Sequence, residues 1–121
     1  MTNLVTTVGL RQALKMALGV SGGTAAYYLA VGTGAAVAPT VASTALVTAL
    51  AGHFQLTNAV NANVGTLEGF LTNSQGNGVL TEWGLFDSVL TMLAHGQFVP
   101  SVTKGAGNTL TVTVTATLAN S

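Results

Sequence analysis

Few side chains in this 121-residue sequence can do acid–base, nucleophilic or ligand chemistry. The carboxylates are Glu68, Glu82 and Asp87, the imidazoles His53 and His95, and the cations Arg11, Lys15 and Lys104; cysteine is absent. Acyl transfer needs a nucleophile, a base and an orienting group. Serine, histidine and an acid can be assembled on paper from this set. No G-x-S-x-G elbow or other motif places them. Each histidine is therefore expected as an exposed or hydrogen-bonded strand residue. Two histidines and three acids far apart, with no i, i+4 pair and no acidic loop, do not make a metal site. Without cysteine there is neither a disulfide framework nor a thiolate zinc site. Gly32-Thr33-Gly34 opens like a dinucleotide motif but lacks the third glycine, the later acid and the lysine of a phosphate loop. It reads as a turn. No catalytic residue, metal or cofactor is expected.

The stretch Thr81-Glu82-Trp83-Gly84-Leu85-Phe86-Asp87 holds the only tryptophan and two of the three acids. On a strand, Trp83 and Leu85 share one face, and Glu82 shares the other with Gly84 and Phe86. A carboxylate placed there must reach water or find donors, because burying it unpaired costs several kcal/mol. The expected solution is a structural acid bonding the N–H groups of a nearby turn. The alternative is a pair between subunits, with Arg11, Lys15 or Lys104.

Composition limits the partners. Three basic and three acidic residues give zero formal charge, and charged residues are 5% of the chain, against about 25% in an ordinary soluble domain. Neutrality argues against nucleic acid, which requires a basic patch. A surface of Thr, Ser, Asn, Gly and Ala suggests coverage by other subunits, since uncharged surfaces associate. Residues 16–39 imitate a signal peptide or membrane span, ending in Ala36-Val37-Ala38. Six glycine and serine breaks interrupt them, and a span needs about 20 continuous apolar residues. No membrane role is expected.

The length fits one domain with a real core. Residues 1–20 form an N-terminal helix or arm and 24–121 a β domain. Leu10, Ala13, Leu14, Ala17 and Leu18 make an apolar stripe at helical spacing, with Thr7, Arg11 and Lys15 opposite and Gly19 as the stop. Ser21-Gly22-Gly23 is a joint. Strands are expected at 24–31, 53–60, 64–71, 80–86 and 91–99, the last stopped by Pro100. Residues 43–50 suggest a short helix or ordered loop with Leu46 and Leu50 inward. The final strand, 108–118, alternates Leu110, Val112, Val114, Ala116 and Leu118 with Thr111, Thr113, Thr115 and Thr117, giving one apolar and one threonine face. Short strands between turn signals predict a mainly β fold: an antiparallel β-sandwich or barrel-like domain with one N-terminal helix.

Four segments in order carry a resemblance. They are Tyr28-Leu29-Ala30-Val31-Gly32-Thr33-Gly34 with Ala38-Pro39-Thr40; Thr44-Ala45-Leu46; Leu80-Thr81-Glu82-Trp83-Gly84-Leu85-Phe86-Asp87 with Met92-Leu93-Ala94; and Phe98-Val99-Pro100-Ser101-Val102-Thr103-Lys104 leading into Asn108-Thr109-Leu110-Thr111-Val112-Thr113. From Tyr27 onward the chain resembles a family of small tailed-bacteriophage virion proteins. Related modules occur as stand-alone head-encoded proteins and inside tail fibres. The E-x-G-L-F-[DN] step and the "K…TLTV" end are its more specific parts. The sequence departs from the family pattern at Ser43, where an acid is usual, at Ala49, where a charge is usual, and in the missing aromatic of the final strand.

The resemblance implies a non-enzymatic virion structural protein. Stand-alone length favours a capsid cement or decoration protein on the capsid exterior. It would bind the major capsid protein or other virion proteins and form homo-oligomers, without nucleic acid or membrane. A tail-fibre, baseplate or neck adaptor is the alternative. A carbohydrate-binding adhesin module, relying on Trp83, Tyr27 and Tyr28, is the alternative from another class. The candidate interface residues are Arg11, Lys15, Glu82, Trp83, Phe86, Lys104, Thr111, Thr113 and Thr115, with the N-terminal helix as a docking arm.

Overall fold

A computed structural model describes residues 4–18, 23–34, 43–62 and 64–117. For Leu4, Leu10, residues 14–18 and Thr117 it describes backbone only. The chain is mainly β, with one helix. In order, the elements are β1 (Leu4–Val5), α1 (Thr7–Leu18), β2 (Tyr28–Gly32), β3 (Phe54–Asn61), β4 (Val64–Leu71), β5 (Gly78–Phe86), β6 (Met92–Lys104) and β7 (Leu110–Thr117). Six long strands and the two-residue β1 make one antiparallel sheet, ordered β1-β6-β5-β2-β3-β4-β7 and curled nearly into a barrel.

Alternation explains most of the strands. Phe54 and Leu56 point inward while Gln55 and Thr57 face out, and Leu71 is buried beside exposed Phe70. Successive side chains leave a strand on opposite faces, so one face can fill the barrel. Leu29, Val31, Leu71, Leu80, Trp83 and Leu85 belong to that core. A second cluster lies on the other face of β5 and β2: Ala30, Leu46, Phe86 and Met92. Residues 82–87 are therefore buried on both faces, and the two-face split of Trp83/Leu85 from Glu82/Gly84/Phe86 is the observed one. The β3–β4 hairpin pairs Asn61 with Val64, and Ala62 takes the left-handed turn conformation, φ 55°.

Of the two forms expected for residues 43–50, the structure contains the ordered loop: bends and one bridge, Ala49 to Gly32, with Leu46 buried and Leu50 packed on the core. Two expectations need correction. The strand expected to stop at Pro100 continues to Lys104. Its pairing with β5 does break there: Glu82 opposes Gln97 and Leu80 opposes Val102, so the single residue Thr81 faces four, Phe98 to Ser101. Proline, lacking an N–H, is tolerated in such a bulge. Second, the start of the helix is not a free arm. Thr6 N–H donates to the Leu93 carbonyl at 3.0 Å and Thr6 Oγ1 to the Met92 carbonyl at 2.9 Å. The Gln12 side chain accepts from Thr24 N–H at 2.9 Å. The Ser21-Gly22 part of the joint lies outside the described residues.

Gly9 explains how closely α1 sits. A Cβ there would run into the backbone of Leu93, so only glycine lets the helix lie against β6. Gly9→Ala is expected to destabilise the fold by about 1–3 kcal/mol, the usual range for forcing atoms into a packed site. A denaturant titration that leaves the midpoint unchanged would show that α1 is held elsewhere.

Candidate interaction surfaces

The charged residues divide into those consumed inside the fold and those left outside. Glu82 is 2% exposed. Its Oε1 accepts from Val47 N–H at 2.8 Å, and its Oε2 from Thr48 N–H at 2.8 Å and Gly34 N–H at 3.0 Å. His95 Nε2 lies 3.0 Å from Oε1. An ionised carboxylate only accepts, so Nε2 carries the hydrogen. The expected turn-bonding acid is what the structure contains, and the pair between subunits is not available to it. Burial by itself would push the Glu82 carboxyl up. The bonds from Thr48 and Val47, with those from His95 and Gly34, more than offset it, and the group sits below the ordinary 4.5. A Cβ on Gly34 would collide with Glu82 Oε2.

Ser43 completes a chain, its Oγ 3.2 Å from His95 Nδ1. Ser43, His95 and Glu82 thus follow the order of a nucleophile–base–acid relay. Acyl transfer also needs N–H groups aimed at the developing oxyanion. The N–H groups of Gly34, Val47 and Thr48 are spent on Glu82. The arrangement fastens the 43–48 loop to β5 and β6.

Asp87 and Lys104 are consumed in the same way. Asp87 is 2% exposed and accepts from Thr91 N–H at 2.9 Å, Val89 N–H at 3.1 Å and Thr24 Oγ1 at 2.8 Å, closing the β5–β6 turn. Lys104 is 3% exposed, donating to Asn77 Oδ1 at 2.7 Å and the Asn73 carbonyl at 3.5 Å, which ties down the β4–β5 loop. As interface residues Glu82 and Lys104 are corrected: both are enclosed and bonded within the chain. Phe86, 7% exposed, belongs to the second core cluster and is likewise enclosed.

Trp83 is also 7% exposed, so it offers no open stacking platform for a sugar. Tyr27 is 40% exposed, edge-on to Tyr28 at 4.6 Å. Trp83 does line a cleft of about 640 Å³ between β6 and β7, with Phe98, Pro100 and Val102 on one side and Val112 and Val114 on the other. No charged side chain lines it. The bulge at Phe98–Ser101 forms its rim, and among the described residues β6 and β7 make no ladder with each other.

Arg11 is exposed on α1, and the Lys15 side chain lies outside the description. Thr111, Thr113 and Thr115 are exposed, opposite Phe70, Glu68 and Thr66 of β4. That outer face holds one charge, Glu68, beside Phe70 at 54% exposure. Among the described residues no three His, Cys, Asp or Glu side chains gather as a metal-ligand set, and no helix is long and apolar enough to cross a membrane. Comparison with protein-family models, with curated proteins and with solved structures gives no match.

Glu82→Ala is expected to cost about 3–5 kcal/mol, the range for breaking a buried charged network, read by thermal or chemical denaturation. The acid limb tests the same network. A carboxyl held below its unfolded value stabilises the fold fully above about pH 4.5, and that contribution is lost as pH falls through the folded value. The wild-type chain should therefore lose stability below pH 4.5, and Glu82→Gln should flatten that limb. An unchanged limb in the glutamine variant would show that Glu82 does not set the acid sensitivity.

Proposed function

We propose that this chain is a non-enzymatic structural subunit of a tailed-bacteriophage particle, a cement or decoration protein on the capsid exterior that binds the major capsid protein. The observation that carries the reading is the surface. Of the six charged residues, Glu82, Asp87 and Lys104 are buried for internal bonding; Arg11 and Glu68 are the charged side chains described as exposed. Soluble domains normally surround themselves with about 25–35% charged surface residues. In place of charge this surface shows Val60 at 80% exposure, Val89 at 74%, Val99 at 60% and Phe70 at 54%. Such a surface gains by being covered, because burying apolar area returns about 25 cal/mol per Å². A standard interface takes about 800 Å² from each partner, and the chain has 7010 Å², enough for several neighbours.

The sequence resemblance supplies the particle, and the mechanism needs no chemistry. Each contact is modest, and repetition over a lattice makes the sum large through multivalency.

Imaging purified particles with the protein tagged is the direct test. Hundreds of copies on the capsid support the cement reading; a few or a dozen at the tail or neck replace it with the adaptor. Absence from particles ends the proposal. Thr113→Lys and Thr115→Lys should fold with melting temperatures near wild type yet incorporate at reduced occupancy, since they put charge on a covered face. Full occupancy of both variants would mean that this face stays wet in the particle.

A further inference from the structure

The two edges of the sheet are not alike. At one end β1 covers β6 only at Ala94 and His95. Beyond that, the outer edge of β6 carries Pro100 and the bulge at Phe98–Ser101. Bulges, prolines and short edge strands are the usual devices that stop sheets from pairing edge to edge. At the other end β7 has none of them. It runs Leu110–Thr117 against β4 without a register shift, and it contains no proline, glycine or charge. Among the described residues no strand pairs with its outer side, and such an edge is a template for another strand.

We propose that β7 pairs antiparallel with β7 of a second copy, about a two-fold axis normal to the sheet. The strand is self-matching in that geometry. Opposed residues of an antiparallel pair lie on one face of the sheet. A two-fold normal to the sheet brings residue i opposite residue c − i with c even, so threonine always meets threonine and Val112 or Val114 always meets an apolar residue. Thr–Thr and β-branched cross-strand pairs both stabilise a sheet. A second copy satisfies this rule automatically. With zero formal charge on the chain, no net repulsion opposes the encounter. The pairing also places the partner's apolar residues over the cleft where Trp83, Phe98, Val112 and Val114 leave the core partly open.

The absence of cysteine allows a clean test on the purified chain. Single variants Thr111→Cys, Thr113→Cys and Thr115→Cys sit on exposed positions, and Thr57→Cys on β3 serves as the control on the same outer face. Under mild oxidation one β7 variant alone should become mostly covalent dimer if the two-fold lies at 111, 113 or 115, and otherwise the 111/113 or the 113/115 mixture should, according to whether it lies at 112 or 114. In every case the cross-linked pairs should share one even sum of residue numbers. Thr57→Cys should give background only. Equal cross-linking at Thr57, or none at any β7 position, overturns the proposal. Sedimentation of the wild-type chain decides independently of any variant: a mass twice 12.1 kDa is expected. A monomer at every concentration up to the solubility limit overturns self-pairing, while leaving the virion reading to its own test.

Discussion

The fold depends on one buried carboxylate. Glu82 sits on β5 and holds the end of β2 through Gly34, the 43–48 loop through Val47 and Thr48, and β6 through His95. That loop has no regular structure, so its inward N–H groups need acceptors that no ladder supplies. One side chain with two oxygens meets two of these loop donors, the Gly34 N–H and an imidazole. The neighbouring backbone follows the same seam: Thr33 N–H reaches the Thr48 carbonyl at 2.9 Å, and Leu50 N–H reaches the Val31 carbonyl at 3.0 Å. With the loop fastened, Leu46 can close the second core cluster over Phe86 and Met92. Glycine at 34 and the carboxylate at 82 are thus one feature, because a side chain at either end of that contact would need the same space.

The same economy governs the other charges. Asp87 closes a turn and Lys104 closes a loop end, each buried with hydrogen-bond partners, as buried charges must be. A chain with six charged residues that spends three on internal fastening has little left to keep its surface apart from other surfaces. Low charge is therefore more than a compositional bias. It links the way the loops are held to the way the outside behaves.

Much of this was legible in the sequence, and the parts that were not have a common cause. Period-two alternation located β3, β4 and β7 within two residues, and the two-face reading of 81–87 held because both faces of that strand are buried. The acid's role as a turn-bonding group followed from its sharing a strand face with Gly84 and Phe86, where a carboxylate must find donors. Its partners did not: Gly34, Val47 and Thr48 lie 48, 35 and 34 residues away, and a loop amide has no sequence signature. Ser43 beside His95 was hidden for the same reason. Lys104 read as a surface residue because it borders a glycine turn. It is buried because β6 resumes its pairing beyond the bulge and turns that side chain inward. Trp83 read as a candidate contact because tryptophan is rare here, whereas its face of β5 belongs to the barrel core.

The bulge and the opening between β6 and β7 lie together. The β6–β7 turn is short, with Asn108 N–H bonded to the Gly105 carbonyl at 3.1 Å, and two strands leaving such a turn would ordinarily pair as a hairpin. Here Phe98 to Ser101 stand opposite a single residue of β5. Extra residues on one strand bend it and increase its local twist. Pro100 on this stretch of β6 also lacks the donor that a ladder to a neighbouring strand requires. The bulge itself is set by the count of residues between Gln97 and Val102, which no change of rotamer alters. A domain that needed only to be stable would gain by pairing these strands and removing both edges. Among the described residues β7 is uncharged and has no strand on its outer side, beside a cleft lined by Trp83, Val112 and Val114, and an edge of that kind is where another strand can add.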